Sequence, residues 1–237
     1  MPTLGIIGSG NIGAAIARLA VAAAIPVVIS NSRGPESLAD LISELGPLAT
    51  AGTIEQAANQ DLVVLSVPLT AHQAIPAAPL RGKTVLDTSN YYPSRDGRIA
   101  ELDNNTATTS ELIQQNFEGV NIVKAFNNIL AHHIPQLARP SDAPDRTSLP
   151  VASNNAQATI EAIGLIDRLG FDAIDAGPLV ESWRFEPEAG AYTRLYLADP
   201  SIPDQSLMEA PGGPVTEEKL RSALGHGARV DIAQRVF

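Results

Sequence analysis

Gly8-Ser9-Gly10-Asn11-Ile12-Gly13, directly behind the apolar run Leu4 to Ile7, decides the fold of this chain. The apolar run reads as a buried strand. Ile12 to Ala24 reads as an alanine-rich helix that ends before Pro26. Between a strand and a helix the three glycines have separate tasks. Gly8 permits a tight turn, Gly10 keeps side-chain atoms away from a pyrophosphate, and Gly13 lets the helix pack close to the strand. The free N–H groups and positive dipole end of the helix then face the phosphates. The stretch points to a bound dinucleotide, with Gly8, Ser9, Gly10, Asn11, Ile12 and Gly13 around its pyrophosphate.

A second stretch, Asn31-Ser32-Arg33, follows the next apolar run, Val27 to Ile29. An NAD site usually carries Asp or Glu here, to accept hydrogen bonds from the ribose 2′-OH. This chain offers an amide, a hydroxyl and a guanidinium instead, a seat for a phosphate dianion. The expected cofactor is therefore NADP, its 2′-phosphate held by Asn31, Ser32 and Arg33. Glu36 is the nearest carboxylate. It falls behind Pro35 and is expected in the first turn of the next helix, where the dipole favours it.

Working outward, strands and helices alternate along the chain. Further strands are expected at Leu48 to Ala51, Asp61 to Pro68, Thr84 to Asp87, Ile122 to Ala125, Ser148 to Ala152 and Asp172 to Asp175. Helices are expected at Pro35 to Leu45, Ile54 to Asn59, Ala71 to Ala77, Glu111 to Phe117 and Ala156 to Leu169. Gly97 to Thr109 reads as a loop. Strand runs apolar on both faces, joined by helices, mean an α/β fold: a Rossmann-type, doubly wound, mostly parallel sheet of about eight strands. Residues 1–177 form the dinucleotide-binding domain in this reading. Residues 178–237 form a small C-terminal extension without clear periodicity until one or two helices after Thr216. Trp183, Phe185, Tyr192 and Tyr196 crowd into that extension, in a chain only 4% aromatic. Such a cluster covers an apolar patch of its own domain, closes over the cofactor as a lid, or forms a dimer contact; because the sheet already has its own helices, the expectation is a lid over the nicotinamide end in a homodimer.

The composition excludes several classes. With 237 residues the chain can bury a core without staples, and it has no cysteine, so neither disulfides nor thiol catalysis. A formal net charge of −10 argues against nucleic acid. No apolar run reaches membrane-spanning length and no signal peptide is expected, which gives a cytoplasmic expectation. Four histidines, two of them adjacent, give no cluster with metal-ligand spacing.

In an open parallel sheet, ligands bind beyond the carboxyl ends of the strands. Those ends are polar here: Ser66-Val67-Pro68, Thr88-Ser89-Asn90-Tyr91-Tyr92, Phe126-Asn127-Asn128 and Ser153-Asn154-Asn155. Ser153-Asn154-Asn155 is better read as a helix cap, whereas Asn90 and Asn127 are read as site residues. The whole series, from the glycine motif through Asn31-Ser32-Arg33-Gly34-Pro35-Glu36, Asp87-Thr88-Ser89-Asn90 and Val123-Lys124-Ala125-Phe126-Asn127, resembles the NADP-dependent oxidoreductases of deazaflavin coenzymes. It is also similar to the cytosolic oxidoreductase domain of six-transmembrane metalloreductases. The resemblance covers about residues 3–180. It implies NADPH across the sheet, with Ser66, Val67 and Pro68 along it and the nicotinamide near Ser89, Asn90, Ala125 and Asn127.

Hydride transfer between stacked rings needs positioning and exclusion of water rather than a strong acid or base. That suits the sequence, which shows no clear acid–base dyad. Lys83 and Lys219 read as solvated, the Lys124 charge as reaching the surface or a carboxylate, and His72, a site candidate behind Ser66-Val67-Pro68, more readily as a surface helix histidine. Tyr91 and Tyr92 are open between proton donation and packing. The expected second substrate is flavin-like or a deazaflavin. A reductase of a small carbonyl or imine compound and a non-catalytic NADP(H) sensor remain as alternatives.

Overall fold

A computed structural model describes residues 2–235; Met1, Val236 and Phe237, the ends of the two expected segments, lie outside the described residues. In chain order the elements are β1 (Leu4–Ile7), α1 (Asn11–Ala22), β2 (Val27–Ser30), α2 (Ala39–Leu45), β3 (Ala49–Ala51), α3 (Ile54–Ala58), β4 (Leu62–Leu65) and β5 (Thr84–Asp87). Then come α4 (Pro93–Asp96), α5 (Ala100–Asp103), α6 (Thr109–Asn116), β6 (Asn121–Lys124), α7 (His133–Leu137), β7 (Ser148–Ser153), α8 (Ala156–Arg168), β8 (Asp172–Asp175) and α9 (Glu217–His226). Short 3-10 turns fill several connections, including Pro35–Leu38, Leu69–Ala74 and Leu179–Phe185.

The eight strands form one sheet in the order β3-β2-β1-β4-β5-β6-β7-β8. Neighbours β3 through β6 are all parallel, so the carboxyl ends of β1, β2, β4, β5 and β6 share one edge. β1 lies between β2 and β4, so consecutive connections run to opposite sides of it, which opens a crevice above its end. β7 pairs antiparallel with β6, and β8 runs parallel to β7. That reversal carries Ser153 to the opposite edge, away from the crevice. There Asn155 caps α8, accepting from the Ala158 N–H at 3.0 Å. The cap reading of Ser153-Asn154-Asn155 follows from this topology.

Period-two alternation sorts the strand residues onto two faces. Leu4, Ile6, Val64, Leu86 and Val123 join Ile16, Ala17 and Ala20 of α1 in one apolar core. Ile7, Val63, Leu65, Val85 and Ile122 join Ala57 and Ala58 of α3 and Ile113 of α6 in another. α6 begins with a capping box: the Thr108 side chain accepts from the Glu111 N–H, and Glu111 accepts from the Thr108 N–H. The Gly97 to Thr109 stretch, expected as a loop, contains the single-turn α5, and α7 has no counterpart in the sequence reading.

The extension packs on its own domain, the first of the readings weighed for it. Phe185, Ala191, Tyr196, Val215, Leu220 and Leu224 all belong to the first core, and Leu179 and Ile232 to the second. Strands β7 and β8 are not covered by the upstream helices alone, and the extension completes their burial. Among the described residues no helix is long and apolar enough to cross a membrane.

Candidate active site

The glycine turn after β1 is built by close contacts. Gly8 has φ +112°, and a Cβ there would lie 2.0 Å from the Ser66 carbonyl oxygen. A Cβ on Gly13 would lie 2.0 Å from the Gly8 carbonyl oxygen, so this glycine sets how near α1 approaches the strand. Gly10 is different: a Cβ would meet nothing within 4 Å. Its free side faces open space rather than protein. α1 starts there with no side-chain cap and no acid in its first turn, which leaves its N–H groups and positive dipole end available.

On one side of this turn lies a cavity of about 330 Å³. Gly8, Ser9, Gly10, Asn31, Ser32, Arg33, Ser66, Val67 and Pro68 line it, all of them singled out from the sequence. Ile54, Ala71, Ala74 and Ile75 add an apolar wall that the sequence reading missed. Asn31 fixes the loop shape, donating from Nδ2 to Ser9 Oγ at 3.1 Å and to Ser37 Oγ at 2.9 Å. Its Oδ1 accepts from the Arg33 N–H at 2.9 Å. Ser32 and Arg33 are exposed. The Arg33 guanidinium has no carboxylate partner among the described residues. Glu36 sits in the first turn behind Gly34, as expected.

On the other side is a second cavity, of about 430 Å³, which shares Gly10, Ser66, Val67 and Pro68 with the first. Asn11, Ile12, Ser89, Asn90 and Asn127 line it as expected, together with Thr88. Asn90 and Asn127 are locked to each other. Asn90 Nδ2 donates to the Asn127 carbonyl at 2.7 Å, and Asn127 Nδ2 donates to Asn90 Oδ1 at 3.0 Å and to the Phe185 carbonyl at 2.8 Å. Asn127 Oδ1 is buried without a hydrogen-bond partner among the described residues. Gly13 and Ala125 line neither cavity. Gly13 acts through packing. Ala125 is fully buried, and the chain turns sharply at Phe126, φ +57°, which reaches the wall instead.

Tyr92, Arg95, Ile129, Leu130, Ala131, Tyr192, Thr193 and Met208 complete this cavity. Tyr192 comes from the aromatic cluster of the extension, and its hydroxyl lies 2.6 Å from that of Tyr92. Burial, and then the neighbouring Tyr92, push the Tyr192 phenol far above its ordinary range. Of the remaining cluster, Trp183 stacks with Arg184, and Phe185 and Tyr196 are core residues. Tyr196 accepts from Asn128 Nδ2 at 2.9 Å and donates to the Ser148 carbonyl at 3.2 Å. Of the four rings in the cluster, only Tyr192 thus lines the cavity. Tyr91 is a packing residue, its hydroxyl held by the Gly97 carbonyl and Asp103 at 3.0 Å.

Beneath the cavity lies a buried ionic floor. Lys124 is fully buried, 3.4 Å from Asp87 Oδ2 and 3.8 Å from Glu186 Oε1, and it donates to the Ser89 carbonyl. Asp87 Oδ2 accepts from Ser110 Oγ at 2.5 Å, and Oδ1 accepts from the Ser89 N–H at 2.9 Å. Burial pushes the Asp87 carboxyl up, but Lys124, His72 and the donated hydrogen bonds outweigh it and hold it below its usual value. His72 is also buried, not at the surface: its Nδ1 lies 3.0 Å from the Leu69 carbonyl and its Nε2 3.3 Å from Ser89 Oγ. Its helical position suggested exposure, but a 3-10 turn directs it under β5. Lys83 donates to the Asn59 and Gln60 carbonyls. Among the described residues no three His, Cys, Asp or Glu side chains could hold a metal.

A glycine turn over β1, a helix N-terminus and two joined cavities along a switch point are the geometry of a Rossmann-type dinucleotide-binding fold. The comparisons carry this further. Residues 3–91 match the model of the family "NADP oxidoreductase coenzyme F420-dependent". A hypothetical protein of Sinorhizobium meliloti is 30% identical, over 81% of this chain and 93% of its own, with a TM-score of 0.72. A protein of Arthrobacter sp. FB24, provisionally assigned as an F420-dependent NADP-reductase, is 25% identical over 78% of this chain and 88% of its own, TM-score 0.64. An imine reductase of Myxococcus stipitatus, 16% identical over 76% of this chain and 56% of its own, TM-score 0.52, shares the fold alone. No curated protein matches the chain. The chain belongs to the coenzyme F420-dependent NADP oxidoreductase family. It is an NADP-dependent oxidoreductase.

Proposed function

We propose that the chain transfers a hydride between NADP(H) and a flavin-like acceptor of the deazaflavin class. The observation that carries this reading is the pair of cavities joined through Gly10 and Ser66 to Pro68: among the described residues, one has a cation without a carboxylate partner, and the other carries no charge except Arg95 at its rim. The open space at Gly10 and the uncapped start of α1 fit a pyrophosphate. Gly8, Ser9, Asn11 and Ile12 frame that point, and Gly13 supports it by close packing. Ser32 and Arg33, with Asn31 holding their loop, suit a 2′-phosphate, and the Ile54 and Ile75 wall suits an adenine. Ser66, Val67 and Pro68 span the two cavities.

At the other end, Ser89, Asn90 and Asn127 are the polar residues beside the nicotinamide in this reading. The unpaired Asn127 Oδ1 is an acceptor suited to a carboxamide N–H. When bound, NADPH supplies the hydride donor. The protein's own part is to hold the ring, exclude water and offer an apolar wall from Ile12, Phe126, Ile129 and Leu130 against which a second ring can lie. An acceptor of this kind delocalises the added charge, so no strong acid is required of the protein.

Mixing the protein with NADPH and a deazaflavin coenzyme, with FMN as the comparison, tests the reading. The expected result is loss of the oxidised deazaflavin absorbance at a rate proportional to protein. NADPH that binds but is oxidised by neither acceptor would overturn it.

A further inference from the structure

The second cavity holds a group that hydride transfer between rings does not use. Tyr92 and Tyr192 come from distant parts of the chain, and both line the cavity with their hydroxyls 2.6 Å apart. Asn90 Nδ2 lies 3.5 Å from the Tyr92 hydroxyl and 3.4 Å from that of Tyr192. The pair is therefore fixed beside the same amide that, under the proposed cofactor placement, borders the nicotinamide. A neutral phenol still carries its proton; a raised pKa makes it a weaker acid, matched only by a strongly basic acceptor such as the alkoxide formed on hydride addition. The Tyr192 phenol, held high by burial and by Tyr92, is such a group.

The surroundings restrict what the pair can serve. Among the described residues the cavity lining includes no carboxylate and a single cation, Arg95, which is ion-paired. Arg95 Nε and Nη2 donate to the two oxygens of Asp96 at 2.9 and 2.8 Å, and Nη2 also donates to the Asn90 carbonyl at 2.7 Å. A charged substrate would find no counter-charge at this end. A neutral one with an apolar body would find Ile12, Ile129 and Leu130, with the exposed Met208 at the mouth.

We propose that this cavity also reduces small neutral compounds carrying a polarised carbonyl group, with Tyr192 as the proton donor and Tyr92 as its proton source. This rests on the cofactor placement above but not on the deazaflavin acceptor. In the step, the carbonyl carbon takes a hydrogen with its electron pair from the reduced nicotinamide, which leaves oxidised. The C=O π pair moves to oxygen, which takes the Tyr192 proton as the phenol O–H bond breaks. Tyr192 recovers a proton from Tyr92 across the 2.6 Å contact, and Tyr92 from water at the cavity mouth. The products are the alcohol and NADP+.

Tyr192→Phe keeps the ring and removes only the donor. The native protein, given NADPH and either cyclohexanone or 2,3-butanedione, should oxidise NADPH. Tyr192→Phe should lose roughly 100-fold or more in kcat for carbonyl reduction, the usual range for a general acid, a far larger factor than its loss in FMN or deazaflavin reduction, which needs no acid. Tyr92→Phe should complete a single turnover at the native rate and slow only in the steady state, because its Tyr192 proton is spent once. Binding gives a readout without turnover. 2-Pyrrolidinone, a neutral carbonyl that is not reduced, should bind the NADP+ complex, and about 10-fold more weakly in Tyr192→Phe, as for one lost hydrogen bond. Carbonyl reduction that persists in Tyr192→Phe would overturn the proposal. So would no reduction of either ketone by protein that binds NADPH, or a Tyr192→Phe loss that tracks loss of NADPH affinity or of the fold. Reduction of ketones without reduction of deazaflavin would leave this proposal standing and remove the acceptor reading instead.

Discussion

Removing the Arg33 side chain isolates the choice of cofactor. Arg33 is exposed on the rim of the first cavity, next to Ser32, with its backbone N–H held by Asn31 Oδ1. Its guanidinium has no carboxylate partner among the described residues, so no internal ion pair has to break when a phosphate arrives. Arg33→Ala therefore removes a ligand contact and little else. A charge-assisted hydrogen bond of this kind is worth about 1.5–3 kcal/mol, and exposure places it towards the lower figure. At 1.4 kcal/mol per decade this means roughly 10- to 100-fold weaker NADPH binding. NADH, without the 2′-phosphate, should lose almost nothing. Fluorescence titration of native and Arg33→Ala protein with both nucleotides gives the four affinities. Raising the salt should shrink the NADPH difference, because the contact is solvated. Equal losses for NADPH and NADH, or a native protein that binds the two equally, would refute the reasoning.

Gly10→Val places a branched side chain in the open space above the turn without meeting protein, so circular dichroism should be native while NADPH titration shows no binding; tight residual binding would contradict the placement. Lys124→Met removes the ammonium that balances Asp87 and Glu186 in the buried floor, and should lower stability by roughly 3–5 kcal/mol in urea unfolding; a loss below about 1 kcal/mol would contradict the electrostatic role. The Asp87 carboxyl is held below its unfolded value of 3.8. Its contribution to stability is complete above that value and disappears as pH falls through the lower folded one. Thermal melts in acid should therefore show a stability loss below about pH 4 that is shallower in Asp87→Asn; coincident acid limbs would contradict it.

The parts of this molecule set by local chemistry are legible in the chain. The glycine turn, the Asn31-Ser32-Arg33 loop and the eight strands rest on residues that act within a few positions of each other. The capping role of Asn155 does too, and it falls where the sequence places it. What the chain does not display is set by contacts across long separations. The reversal of β7 depends on the connection from residue 125 to 147, which has no periodic signal. The burial of Lys124 and His72 depends on Asp87, Ser89 and Glu186, brought together only by the sheet and the extension. Tyr192 was visible as a member of an aromatic cluster. That it alone of the four rings meets the cavity, opposite Tyr92, follows from Phe185 and Tyr196 being drawn into the core of β7 and β8.

The most direct test of the account is the structure of the protein crystallised with NADP+. The account predicts the 2′-phosphate on Ser32 and Arg33, the pyrophosphate above Gly10 at the start of α1, and the nicotinamide beside Asn90 and Asn127 with one face open towards Tyr192. A nicotinamide outside the second cavity, or a 2′-phosphate without contact to Arg33, would contradict it.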